Sequence, residues 1–241
     1  MRDFKGGDLM AEYSEVQVDG VPMRIAHAFP GGAGPHPGVV VMFHRGGFDD
    51  FTIKVLDDLA SAGFVAAAPD VYHWPPVEDP PEKNPFPVDP EIIKDISATL
   101  EWMEGLGTVD MDRLGITGHC MGGRMAFLGA STHPQFKACV PYYSGNMFKP
   151  WGDDSAPTPF DRLGDLKAEV LGFFGNDDGN PSPEDVDKIG AELDRLGVKH
   201  VFHRYDGAGH AFQNFLAPER FREEARDDSW AKTESFLKGI L

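Results

Sequence analysis

Residues 38–43 read Gly38-Val39-Val40-Val41-Met42-Phe43, an unbroken apolar run of the kind that a strand buried on both faces requires. Further strand patterns occupy 64–69, 113–117, 136–142, 169–174 and 199–205. Between them the apolar positions change to a period near 3.6. Ile53, Leu56, Leu59 and Ala60 share one face of a helix over 51–62, with Gly63 as its stop. Ile92, Ile93, Ile96, Leu100 and Met103 do the same over 90–105. Further helices are predicted from the segment after residue 120 to about 132, over 184–196 with Gly197 as stop, and over 218–239. Ahead of all these, 14–19 and 22–29 alternate polar and apolar residues around Asp19-Gly20, the pattern of an antiparallel hairpin. Strands alternating with helices predict an α/β chain: a mostly parallel sheet with helices on both faces and the hairpin at its N-terminal edge. No repeat or low-complexity linker divides it, so one domain over 1–241 is expected.

Two stretches break the pattern. Residues 73–90 are rich in proline and acidic side chains, and 144–162 are irregular around Trp151. Proline removes backbone donors and excludes regular structure from such segments. Ordered loops of this length are uncommon unless they serve a site, so 73–90 is expected to shape a pocket rim, with a merely solvated connection as the alternative.

Composition narrows the function. A net charge of −17 argues against nucleic acid and anionic membrane as partners. The first fifteen residues are polar and lack an apolar signal core, and no apolar run approaches a membrane span. Two cysteines, Cys120 and Cys139, do not make a disulfide framework. A reduced, cytoplasmic protein, monomer or homodimer, is the expectation.

The chemistry centres on Gly118-His119-Cys120-Met121-Gly122-Gly123, between a strand pattern and a helix pattern. A reactive side chain framed by glycines at a strand-to-helix turn is the nucleophile-elbow pattern, here with Cys120 in the reactive position. The helix N-terminus that follows favours thiolate over thiol. A buried structural cysteine is the plainer alternative; the glycine frame weighs against it.

An elbow nucleophile needs a base and an orienting acid, in the chain order nucleophile, acid, histidine. Asn176-Asp177-Asp178-Gly179 follows a strand and supplies the acid; Asp178 is preferred, with Asp177 as the alternative. Gly207-Ala208-Gly209-His210 follows the last strand, and its glycines let His210 approach the elbow. Catalytic groups in open α/β sheets sit at such carboxyl ends of strands. His200 and His203 form an H-x-x-H, but residues three apart on a strand face opposite ways, which discounts a metal. The backbone amides of Met121 and of Arg45, in His44-Arg45-Gly46-Gly47, are the candidate oxyanion donors. Phe48, Tyr72, Trp74, Tyr142, Tyr143 and Trp151 are candidate linings of an apolar pocket, each with a share of core packing, and His44 and Asn214 are further candidates for the substrate pocket.

With the G-x-C-x-G-G motif, Asp178 and the Gly-Ala-Gly-His segment, the chain resembles the dienelactone hydrolase family. The resemblance runs from about residue 14 to the C-terminal helix and takes in Pro69-Asp70-Val71-Tyr72 and Tyr142-Tyr143. It implies an α/β-hydrolase fold, a Cys120–His210–Asp178 triad, and cleavage of esters or lactones without a cofactor. Two positions depart from the family members that act on dienelactone. Their glutamate before the oxyanion donor, which contacts the resting thiol, is His44 here, and their carboxylate-binding arginine four residues after the histidine is Asn214. A neutral or differently shaped ester is therefore expected, with Cys120 resting as a thiolate paired with His210. An activated phosphoester or phosphotriester is a candidate side substrate.

Two rival classes fit the chain less well. A thiol redox sensor needs a resolving cysteine, and Cys139 lies in a buried strand pattern. A binding protein that has lost activity typically lacks a triad residue, whereas all three candidates are present.

Overall fold

The computed structural model describes residues 12–75 and 86–241. The expected rim segment thus lies largely outside the described residues. Among the described residues eight strands form one sheet in the order β1-β2-β4-β3-β5-β6-β7-β8. The strands are β1 Glu12–Val18, β2 Val21–Ala28, β3 His36–Met42, β4 Val65–Pro69, β5 Val109–His119, β6 Phe136–Tyr142, β7 Glu169–Gly175 and β8 His200–Tyr205. β1 and β2 pair antiparallel through the turn at Asp19 and Gly20, and β2 pairs antiparallel with β4; the remaining pairs are parallel. The α/β architecture expected from the pattern is the one observed.

Among the described residues five α-helices cover the sheet: α1 Asp50–Ser61, α2 Asp89–Gly105, α3 Met121–Thr132, α4 Pro183–Leu196 and α5 Glu223–Ile240. Their ends follow local chemistry. The Asp49 side chain accepts from Thr52 N at 3.0 Å and caps α1. Ser182 and Asp185 form a reciprocal capping box on α4, and Gly197 ends that helix at φ 69°.

Alternation along the strands sorts side chains into two apolar clusters, one per face. Val40, Met42, Ile116 and Cys139 pack with Ile92, Ile96, Met125 and Ile189, so α2, α3 and α4 lie on one side. Val39, Val41, Ala138, Val140, Tyr142 and Phe173 pack with Phe51, Leu56 and Leu237, so α1 and α5 lie on the other.

Two elements start four or more residues from the sequence expectation. The central strand β5 runs over Val109–His119 rather than 113–117, because its first residues pair with His36 and Pro37 before a register shift. The last helix starts at Glu223 rather than at 218. Arg222 is extended there, and its guanidinium donates to the Gly207, Glu219 and Phe221 carbonyls, which spends 218–222 on turns.

Candidate active site

Cys120 sits between β5 and α3 at φ 59°, ψ −118°, a conformation that costs a non-glycine residue energy. Its amide donates to the Tyr142 carbonyl at 3.0 Å, tying the turn to the neighbouring strand. The flanking glycines make room for that turn. A Cβ on Gly118 would run into the Gly122 carbonyl, and one on Gly122 into the Met42 carbonyl. At Gly123 a Cβ would stand 2.7 Å from the Tyr142 oxygen.

The histidine and the acid reach this point from two other strand ends. His210, after β8, brings Nε2 to 2.8 Å from Cys120 Sγ. Its Nδ1–H donates to Asp178 Oδ2 at 2.8 Å. Asp178, after β7, is the acid in contact. Asp177 is exposed, and its amide donates to Ala208 O, which joins the two loops. Burial opposes charge on His210, but the bonds to Asp178 and Cys120 and their charges outweigh it and push its pKa up to about 10. Met121 is the first residue of α3, where helical geometry leaves backbone N–H groups without an intrahelical partner.

The candidate lining residues divide. Tyr143, at φ 37°, sets its ring 5.2 Å from that of His210. Its hydroxyl is buried without a hydrogen-bond partner among the described residues. Tyr72 donates its hydroxyl to Met121 Sδ at 3.5 Å and packs with Phe43, against which Phe48 also stands edge-on. Trp74 is anchored by its indole N–H to Asp95, which His73 also contacts; burial lifts that carboxyl to about 6 against these bonds.

Tyr142 is a correction. Strand alternation puts its side chain on the α5 face with Ala138 and Val140, where its hydroxyl bonds to Thr233. Asn214 Oδ1 accepts from Leu216 N at 2.9 Å and closes a turn of its own loop. His44 is a second correction. Its Nε2–H donates to Asp49 Oδ2 at 2.8 Å and its Nδ1 accepts from Gly46 N, so both ring nitrogens are engaged at the start of α1.

Trp151 stacks under a group that sequence reasoning missed. Arg124, one turn into α3 and fully buried, makes a two-pronged pair with Asp89, its Nη2 at 2.9 Å from Oδ2. It also donates to the Asn146 and Lys149 carbonyls and lies 3.9 Å over the Trp151 ring. This fastens the irregular 144–162 segment to the N-termini of α2 and α3. His119 was missed as well. It is buried beside the nucleophile, its Nε2 2.9 Å from Gln213 Oε1. In both cases the only available signal was a polar residue inside an apolar run.

Cys139 is buried in β6, and burial pushes its thiol up. No helix among the described residues is long and apolar enough to cross a membrane.

Comparison with known proteins bears on the family and the fold. A Methylorubrum extorquens protein named "Putative carboxymethylenebutenolidase" is 32% identical over 96% of this chain and 81% of its own length. The Klebsiella pneumoniae structure described as "Putative Dienelactone Hydrolase" has a TM-score of 0.82 and 28% identity, over 95% of this chain and 98% of the other. A dienelactone hydrolase-like promiscuous phosphotriesterase from metagenomic libraries shares the fold, with a TM-score of 0.80, 20% identity, and coverage of 96% and 98%. The dienelactone hydrolase family model matches residues 23–241, so the chain belongs to that family of hydrolases.

Proposed function

We propose that the protein hydrolyses small esters or lactones with Cys120 as nucleophile, His210 as acid–base and Asp178 as the group that orients the imidazole. The observation that carries this is the continuous chain from Sγ through the imidazole to the carboxylate, with both links at 2.8 Å. The carboxylate holds the Nδ1–H tautomer and stabilises the imidazolium. The thiolate attacks the carbonyl, and the Met121 and Arg45 amides receive the oxyanion; each such donor contributes about 3 kcal/mol to transition-state stabilisation. The intermediate collapses to a thioester as His210 protonates the departing alkoxide. A water that gives its proton to His210 then releases the acid. In a lactone the alcohol stays attached, and ring opening yields one product.

The substrate class follows from what surrounds the thiol. His44 is committed to Asp49, and Asn214 to its own turn. Neither reproduces the thiol contact or the carboxylate clamp of the dienelactone-cleaving relatives, which supports a neutral ester. Activated phosphotriesters are a side activity of the same nucleophile. The burial of Cys139 weighs against a Cys120–Cys139 redox couple. A reduced cytoplasmic setting suits a free thiol at the site.

Cys120→Ala is expected to reduce turnover to background across a panel of chromogenic esters of varied chain length, a lactone and a phosphotriester. Ester turnover retained in that variant would remove the cysteine mechanism.

A further inference from the structure

The nucleophile and its histidine come from strand ends 90 residues apart, and a 2.8 Å contact between them needs something to fix the gap. A buried polar chain runs beneath them. Ser229, on α5, donates its hydroxyl to the Arg226 carbonyl at 3.1 Å, so its oxygen is left to accept from Gln213 Nε2 at 2.7 Å. That orientation turns Gln213 Oε1 toward His119, whose Nε2 must then carry the proton it donates at 2.9 Å. His119 immediately precedes Cys120, and Gln213 follows His210 by three residues.

The His119 ring has little freedom. It stacks on Tyr142 at 4.4 Å and 14°, and meets Phe51 edge-on at 4.9 Å. Burial holds its pKa near 3 against the Gln213 bond, so at neutral pH it is the neutral donor that the chain requires. The Gln213 side of the link is equally fixed, because Arg222 N donates to Phe212 O and the Phe212 ring packs on Tyr143.

We propose that His119 and Gln213 are positioning residues: their hydrogen bond clamps the elbow to the histidine loop and sets the separation of Cys120 Sγ and His210 Nε2. The catalytic consequence rests on the cysteine mechanism above; the clamp itself does not. Displacements near 1 Å at a reacting pair cost roughly a hundredfold in rate.

The test uses Gln213→Leu, His119→Phe and the double variant. His119→Phe keeps an aromatic ring against Tyr142 and decides the matter if Gln213→Leu does not fold. Two readouts are taken: steady-state ester kinetics, and the rate at which iodoacetamide alkylates Cys120 at pH 6.5, followed on the Cys120 peptide by mass spectrometry. Each single variant should lower kcat roughly tenfold or more with KM within about twofold, and slow the alkylation by a similar factor. The double variant should be no worse than the poorer single, because both break one link. Alkylation within twofold of the parent in the folded single variants, or losses that multiply in the double, would overturn the clamp. Alkylation reports the sulfur–imidazole pair without turnover. Turnover retained in Cys120→Ala would therefore sink the mechanism while leaving the clamp to be judged by its own readout.

Discussion

Two acid–base pairs gather at the first turn of α3, one through Arg124 and one through Cys120, and they differ in what their cations can do. Arg124 and Asp89 are 0% and 7% exposed at the side chain, and the guanidinium is further satisfied by two backbone carbonyls and an aromatic face. His210 and Asp178 are 26% and 3% exposed, and the second imidazole nitrogen faces a thiol. A guanidinium does not give up its proton at any working pH, so the first pair can only hold structure. An imidazole releases and regains one, so the second can do chemistry. The exposure and proton lability of the cation, rather than the presence of charge, set the two pairs apart.

The comparison is broken most sharply at its reactive half. Asp178→Asn keeps the shape but leaves the imidazole without its orienting charge. The ester kcat is expected to fall by about three to four orders of magnitude, with the denaturation midpoint little changed. Next comes the structural half. Arg124→Met strands a buried Asp89 and should cost about 3–5 kcal/mol in urea unfolding, whereas Arg124→Lys, which keeps the charge but loses the two-pronged geometry, should cost less. Ester turnover by whatever fraction stays folded should remain, which separates the two pairs by experiment. The smallest effect lies in pH. His210 has its pKa raised to about 10 in the folded chain, so its contribution to stability is full below the unfolded value near 6.5 and is lost as pH rises through about 10. Thermal denaturation from pH 6 to 10.5 should show that loss. In Cys120→Ala, imidazole NMR should show His210 titrating at lower pH, because the sulfur partner that raises its pKa is gone.

Much of the reactive half could be read from the chain. Gly118, Gly122 and Gly123 carry their meaning locally, because only a residue without Cβ passes under the Met42, Gly122 and Tyr142 carbonyls. Asp178 and His210 stand beside glycines at strand ends, where the α/β pattern had already drawn attention. The structural half was silent. Asp89 and Arg124 are 35 residues apart, neither is framed by a turn signal, and nothing in a linear pattern marks which charges will be buried together. The same holds for His119 and Gln213, 94 residues apart. Tyr142 and Tyr143 looked alike as neighbours, yet the twofold alternation of β6 sends Tyr142 to the α5 side, and a left-handed step turns Tyr143 toward His210.

The glycine frame around Cys120 has a consequence for anyone who would redesign the site. The main chain there is a socket cut to the thickness of bare backbone: Gly118 and Gly122 admit no side chain, and the Cys120 amide is already spent on Tyr142. New chemistry has to arrive through the one side chain that the socket holds up. A serine or another short reagent can be exchanged at position 120, while the mould that presents it stays as it is.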